Sequence, residues 1–250
     1  MRRLWVLIPH HRFYRALLST CLGLLSIFML PPSLARPLTH GGFMLLALLL
    51  LVGLAAGHEA SSNKVPKRAN YADLFYPIIG FTVIIDQALL ASGGFFGFDG
   101  AITLQGLWAL FALLSAARIV HFLSLEKRVT SAVLQGAIAG YLMLGLAAGI
   151  VFNVLEDLIP GSFHAISSGI SSGVLSSKID FISLNYFAFS CLSTVGFGDI
   201  VSTNHPGEML SVIVAVVGPL YLAVVMGLLI ARVTASETSA EVEESLEEMR

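Results

Sequence analysis

Long stretches without a charged residue are the feature that most constrains the fold of this chain. Six such stretches, one of which contains the single charge Asp86, are 16–35, 37–58, 74–98, 100–117, 129–155 and 209–231. Each has 18 residues or more, enough to cross roughly 30 Å of hydrocarbon as an α-helix. Charged residues make up 12% of the chain, against about 25% in a typical soluble protein. The pattern excludes a soluble enzyme and predicts an all-α membrane protein.

Six spanning helices follow from these stretches. They are predicted at 16–32, 41–57, 73–91, 101–122, 130–155 and 208–232. We divide the chain into an N-terminal arm (1–15), a four-helix unit (16–123), a second domain (124–232) and a short tail (233–250).

The basic residues predict which side of the membrane each loop occupies. Loops that retain Lys and Arg close to the helix ends tend to stay cytoplasmic. With six spans, twelve of the fourteen basic residues fall on one side, and only Arg36 and Lys178 fall on the other. Both termini are therefore predicted to be cytoplasmic in a multi-pass protein. The compact chain favours a prokaryotic plasma membrane.

The amino terminus has an alternative interpretation. Arg2 and Arg3, the apolar stretch after them and Ser33-Leu34-Ala35 resemble a signal peptide with its cleavage site. The loops rich in basic residues alternate regularly with loops that lack them only if the first segment is retained. This segment would then pair with the second through a turn containing Pro31, Pro32 and Pro37. We therefore expect the segment to be retained.

The segment between the last two spans is too apolar for an ordinary outside loop. Residues 158–177 are expected to be exposed, because they contain Pro160-Gly161 and a run rich in Ser and Gly. The next block, 181–193, is apolar but has only 13 residues, too few to span. It predicts a re-entrant half-helix at 180–193, with Asp180 as its N-cap. Irregular backbone that follows at membrane depth must be buried in protein or line a watery cavity.

That irregular stretch reads Thr194-Val195-Gly196-Phe197-Gly198-Asp199. Alternating glycines allow backbone angles of alternating hand, so that successive carbonyls can point the same way and replace the hydration shell of a cation. The stretch resembles the selectivity filter of potassium channels, Thr-Val-Gly-Tyr-Gly-Asp. The one departure is Phe197 in place of tyrosine, a variant that this family also uses. Because the tyrosine hydroxyl is missing, the resemblance does not determine how rigid the filter is or whether it inactivates.

The resemblance implies roles for particular residues. The ion ligands would be the carbonyls of Thr194, Val195, Gly196 and Phe197 with the Thr194 hydroxyl, and Gly198 and Asp199 would complete the filter. Support for the filter would come from Tyr186 and Phe187, as an aromatic cuff, and from Ser190. The fold implied is a four-helix unit like that of voltage-gated channels, followed by a two-helix pore domain with outer helix 130–155, pore helix 180–193, filter 194–199 and inner helix 208–232.

A single filter strand cannot surround a cation. In the family, four chains share one axis, so the resemblance implies a homotetramer. The C-terminal ends of the short helices would then direct partial negative charge at a central cavity. The expected partners are further copies of the chain, membrane lipid and K⁺ ions. No nucleic-acid partner is expected, because the net charge is only −2. No cofactor is expected, because the sequence shows no metal-binding cluster and no phosphate-binding loop.

The last predicted span contains Gly218-Pro219. Pro219 cannot donate to the carbonyl of Ala215, so a kink is expected near Gly218. Gly218 follows Gly198 by twenty residues, which is similar to the hinge spacing of simple potassium channels. Two interpretations stay open, a hinge for an intracellular gate and a static kink.

The fourth span does not have the charge pattern of a voltage sensor. A sensor requires Arg or Lys at every third residue, since each charge that crosses the field contributes about 2.3 kcal/mol per 100 mV. Only Arg118 is both charged and within the span. We interpret Arg118 as an interfacial anchor and Asp86 as a satisfied or snorkelling residue, with no salt bridge between the two.

Three further features are expected to be secondary. The tail has six glutamates and one stripe of Val242, Leu246 and Met249, and we expect it to be mainly solvated and frayed, with a short helix as the alternative. His164 and His205 flank the predicted pore and offer a response to external pH. Cys21 and Cys191 form neither a disulfide framework nor a metal site.

The sequence therefore predicts a potassium-selective channel without strong voltage gating. The alternatives are a weakly selective cation channel, a potassium channel gated by voltage, a potassium transporter subunit and a non-conducting regulatory subunit. A single filter motif argues against the transporter, because transporters of that superfamily contain four pore loops in one chain.

Overall fold

A computed structural model describes residues 10–62, 71–91, 101–125, 130–166 and 179–248. Seven helices and two short strands lie in these ranges. They are α1 (His10–Ile27), α2 (Pro32–Ser62), α3 (Tyr71–Ala91), α4 (Ala101–Leu125), α5 (Ser131–Leu158), β1 (Phe163–Ala165), α6 (Phe181–Leu192), β2 (Ile200–Ser202) and α7 (His205–Glu248). The all-α membrane fold predicted from the sequence is confirmed.

Four segments of the described residues are long and apolar enough to cross a membrane. They are Ser33–Gly53, Gln105–Leu123, Ser131–Leu158 and His205–Arg232. The predicted spans at 16–32 and 73–91 are not among them. Helix α1 ends at Ile27 and contains Arg12 and Arg15, which leaves an apolar part too short for roughly 30 Å of hydrocarbon. In α3, the apolar segment among the described residues is Phe75–Ile85.

Helix boundaries near the amino terminus differ from the prediction. Helix α1 begins at His10, so residues 10–15 of the predicted arm are helical. Helix α2 begins at Pro32 and continues through Pro37, where the sequence predicted a turn. Pro32 is favoured at the first position of the helix because its φ is already helical and its missing N–H would have no partner there. The turn is therefore confined to the few residues after Ile27.

The four-helix unit packs on its own chain's α5 through α1 and α4. Buried side chains of α1 to α5 form one core with two residues of α7, Tyr221 and Val225. Tyr221 donates a hydrogen bond to the Ala137 carbonyl of α5 (2.6 Å), and Arg232 donates to the Leu123 carbonyl near the end of α4 (3.1 Å). Helix α7 is thus joined to α5 and α4 of the same chain.

The side chain of Arg118 packs inside the four-helix unit. Its guanidinium lies 4.1 Å from the centre of the Tyr76 ring, and the Tyr76 hydroxyl is 2.9 Å from the Ser115 hydroxyl. The ring offers the cation a favourable face within the protein, and the interpretation of Arg118 as an interfacial anchor stays a prediction. The side chain of Asp86 lies outside the described part of the structure.

Helix α7 is longer than predicted. It begins at His205, passes through Gly218 and Pro219, and continues without interruption to Glu248. The expected frayed tail is therefore wrong for residues 233–248, since the helix of the last span extends through them. The side chains of Val242 and Leu246, and all of Met249, lie outside the described part.

Candidate functional site

The predicted half-helix is α6, with 12 residues. The Asp180 side chain accepts a hydrogen bond from the Ser183 backbone N–H (3.2 Å), which confirms the predicted N-cap. At the other end, the Ser193 and Thr194 N–H groups bond to the carbonyls of Phe189 and Cys191. The chain therefore leaves α6 in a fixed direction and enters 194–199 directly.

Along 194–199, backbone conformations with positive φ alternate with conformations that have negative φ. Gly196 and Gly198 have φ values of +55° and +78°, and Thr194 has φ of +59°. Every second residue is thus left-handed, as the glycine spacing predicted, and Thr194 adds a position that the sequence did not predict. A non-glycine residue in this region is uncommon and marks a local conformation that the surrounding structure imposes.

Ser190 of α6 holds three successive amides of this segment. Its carbonyl accepts from the N–H groups of Val195 (3.1 Å) and Gly196 (3.3 Å), and its hydroxyl accepts from the N–H of Phe197 (3.3 Å). In a planar trans peptide, the N–H and the preceding carbonyl point in opposite directions. The carbonyls of Thr194, Val195 and Gly196 therefore all point away from α6, towards the same side.

One predicted aromatic residue contacts the filter motif and the other does not. The Tyr186 ring stacks on Phe197, with centroids 5.9 Å apart and planes at 12°. Phe187 is buried and packs on Phe152 (5.3 Å) and Phe163 (5.6 Å). Within the chain, Phe187 thus faces a different direction from Tyr186, because consecutive helix residues do not share a face. Its place in an aromatic cuff stays a prediction.

The stacking contact with Tyr186 requires no hydroxyl on Phe197. A ring at this position can pack face to face on Tyr186 without a polar atom, and the offset geometry lies within the range in which aromatic pairs attract. Phe197 is therefore fixed by a ring contact and by its N–H bond to Ser190.

A two-stranded ladder supports the segment after Asp199. Strands β1 and β2 are antiparallel, with His164 opposite Val201, and the Ile166 N–H donates to the Asp199 carbonyl (2.7 Å). Phe163 and the preceding Ser162 are buried, so the expectation of an exposed loop at 158–177 is wrong for these two residues. Residues 167–178 lie outside the described part.

Glu156 anchors this ladder and was missed from the sequence. Its side chain is 3% exposed, and its two carboxylate oxygens accept from the N–H groups of Gly161 (2.8 Å) and Phe163 (3.1 Å). Hydrogen bonds of this kind, with an ionised acceptor, are about twice as strong as neutral ones. The available signal was an acid at the end of a long apolar run, four residues before Pro160.

The predicted hinge residue is a close-contact position. A Cβ added to Gly218 would overlap the Leu192 carbonyl oxygen at the end of α6. The same carbonyl is 3.4 Å from the Tyr141 hydroxyl of α5, which donates to it. Gly218 is therefore required where α7 crosses the backbone of α6, whether or not the helix bends there. Pro219 follows within the continuous helix.

Helix α5 has two pairs of glycines spaced by four, a pattern from which no site was predicted. Gly145 faces the Phe189 ring and Gly149 faces the Asn185 amide, both from α6, and a Cβ at either position would overlap those side chains. Such spacing allows close helix approach in membranes. It is the signal that could have located the packing face of the half-helix.

The two candidate pH-responsive histidines lie close to this site. His164 is exposed on β1, and His205 is the first residue of α7, with its Nδ1 3.3 Å from Glu208 Oε2. Their response to external pH stays a prediction.

Comparison with known families places an ion-channel segment over this site. Residues 141–235 match a family model described as ion channel. The match begins within α5, includes α6, the filter motif and the membrane part of α7, and supports an ion channel. No curated protein and no solved structure matches the chain.

Proposed function

We propose that the chain forms a potassium-selective channel for passive K⁺ movement across a membrane. The observation that supports this most directly is the attachment of three successive amides to Ser190. The carbonyls of Thr194, Val195 and Gly196 are turned to the opposite side, where they would act with the Phe197 carbonyl and the Thr194 hydroxyl as ion ligands. Oxygen ladders of this kind replace the water around a desolvated cation.

We also propose that four chains assemble about one axis. Val195 and Phe197 are 56% and 66% exposed in the single chain, and one strand supplies oxygens on only one side of an ion. Helix α7 has an apolar exposed face next to the filter, which includes Val212, Val216 and Leu220. Three further copies would enclose the ion and cover these surfaces, as closed cyclic symmetry requires.

The orientation and the gating mode are part of the proposal. Both termini would be cytoplasmic, so that α6 and 194–199 enter from outside. Channel opening would not depend steeply on voltage, because Arg118 is the one Lys or Arg in the membrane segment Gln105–Leu123. A hinge at Gly218 and Pro219 stays an expectation, and its test must allow for the packing of Gly218 on Leu192.

The test is a reversal-potential measurement on the purified full chain in a planar bilayer, with K⁺ on one side and Na⁺ on the other. At least tenfold preference for K⁺ places the reversal potential about 59 mV or more from zero. A reversal potential near zero would show the weakly selective alternative, and no current would show a non-conducting subunit. Native mass spectrometry of the same sample should give a tetramer.

Two matched glycine variants test whether the selectivity resides in the filter segment 194–199. Gly196→Ala places a side chain where φ is +55° although the space is open, so it perturbs backbone hand without a clash. We expect loss of K⁺ preference. Gly23→Ala, on α1 and also in open space, should leave the reversal potential at the wild-type value. Equal behaviour of the two variants would contradict the proposed ion path.

A further inference from the structure

The first residue of the pore helix α6 is seated in aromatic side chains of the four-helix unit. The Phe181 ring meets Phe28 (6.1 Å, 82°) and Phe43 (5.7 Å, 74°), both edge to face. Phe43 in turn meets Trp108 of α4 (5.1 Å, 80°). We name Phe28, Phe43 and Trp108 the aromatic socket. All three distances and angles lie within the range in which aromatic pairs attract.

Phe181 packs with a different core from most of α6. It lies against the core of the four-helix unit and α5. The buried residues further along the helix, such as Leu184 and Leu192, belong to a second core with Phe152 and Phe163. Helix α6 therefore connects the core of the four-helix unit to the core behind the filter motif.

The same turn of α6 is fixed on α5. Asn185, which is 1% exposed, donates its amide to the Phe181 carbonyl (2.9 Å) and lies against Gly149. Since α6 has 12 residues and is about 18 Å long, a rotation or tilt at Phe181 also moves Ser190. Ser190 is the residue that bonds three filter amides.

We propose that the aromatic socket positions the filter through α6, and that Phe181 is a positioning residue for ion selectivity. The four-helix unit would thus act as a scaffold for the filter segment of the same chain. This inference rests on the proposed function only in taking 194–199 as the conducting segment.

The test is amide hydrogen exchange of the filter segment, measured on the full-length protein in nanodiscs. Phe181→Leu keeps an apolar side chain but removes both ring contacts. We expect the amides of Val195, Gly196 and Phe197 to exchange about twofold to tenfold faster, as the usual worth of aromatic pairs implies. Phe181→Tyr, which keeps a ring at this position, should exchange at the rate of the wild type.

Three further variants keep the test decisive. Phe28→Leu removes one wall of the socket without altering α6, and it replaces Phe181→Leu if that variant does not assemble. The double variant should show no more exchange than Phe181→Leu alone, because both changes remove the same contact. Phe75→Leu is the matched control, since Phe75 is exposed on α3, and it should leave the exchange rate unchanged.

Reversal potentials of the same samples separate this inference from the proposed function. Faster filter exchange in Phe181→Leu, with a wild type that does not prefer K⁺, would support the socket and overturn potassium selectivity. A K⁺-selective wild type, with filter exchange and reversal potential unchanged in both Phe181→Leu and Phe28→Leu, would overturn the socket and support the selectivity. Additive effects of the two changes would also overturn it.

Discussion

The pore region (α5 to α7) and the four-helix unit (α1 to α4) are both built from apolar helices, but their helices approach each other differently. In the pore region, α7 meets the backbone of α6 at Gly218. The close-contact glycines of the four-helix unit face side chains, as Gly53 faces the Phe13 ring and Gly80 faces Phe111. Gly145 and Gly149 of α5 also face side chains, so the pore region differs in having a close helix contact on a backbone group as well. In the pore region, Ser190 and Glu156 also accept hydrogen bonds from backbone amides that lie outside the helices.

The difference follows from which atoms are expected to act on the ion. A side chain can change its rotamer when a neighbour changes, whereas a backbone group moves only with its whole segment. If main-chain oxygens bind the ion, the segments around them must be fixed at the level of the backbone. We therefore expect substitutions in the pore region to have larger effects than similar substitutions in the four-helix unit.

The largest effect is expected for Gly218→Ala. The new methyl group overlaps the Leu192 carbonyl oxygen, and overpacking of this kind costs about 1–3 kcal/mol or more. We expect loss of tetramer and of current, measured by native mass spectrometry and bilayer recording. Gly227→Ala on the same helix, where the space is open, should behave as wild type. Normal current in Gly218→Ala would show that the close contact is absent in the working channel.

The next effect is expected for Glu156→Gln. A neutral amide has one oxygen for the two N–H groups that the carboxylate now accepts, and hydrogen bonds to charged groups contribute about 1.5–3 kcal/mol. Thermal unfolding in detergent should show reduced stability, and the amides of 200–203 should exchange faster. Glu208→Gln, at an exposed position on α7, is the control. Unchanged stability would show that Glu156 does not anchor the ladder.

A smaller effect is expected for Tyr221→Phe. The change removes the buried bond to the Ala137 carbonyl, worth about 1 kcal/mol, and leaves that acceptor without this donor. Because the bond joins α7 to α5, we expect a change in open probability without a change in reversal potential. Thermal unfolding in detergent should show a smaller loss of stability for Tyr141→Phe than for Tyr221→Phe, because Tyr141→Phe removes a longer contact of 3.4 Å. A larger loss of stability in Tyr141→Phe would contradict the greater importance of the Tyr221 hydrogen bond.

The smallest effect is expected in the four-helix unit, for Arg118→Gln. The variant loses the contact with the Tyr76 ring, which is worth about 0.5–2 kcal/mol. Stability should fall slightly, while the slope of the conductance–voltage curve should stay the same. A clear change in that slope would show that Arg118 moves in the membrane field, and the four-helix unit would then be a sensor as well as a scaffold.

Local features of the site could be predicted from the sequence because they depend on neighbouring residues. Asp180 is an N-cap by its position before an apolar run, and Gly196 and Gly198 have the left-handed angles that their spacing indicated. Phe187 shows the limit of such reasoning. An aromatic residue next to Tyr186 fits a filter cuff by composition, but its direction depends on how α6 is rotated against α5, and it lies on Phe152.

Long apolar stretches and one six-residue motif by themselves determined a helical membrane protein with a candidate ion path. Hydrophobic length and glycine spacing act along the chain, so no knowledge of packing is needed to interpret them. Only the tertiary structure decided that Gly218 contacts Leu192, that Glu156 binds the turn before β1 and that Phe181 is seated between Phe28 and Phe43. These contacts join residues distant in sequence, and they exist only once the helices have taken their positions and rotations.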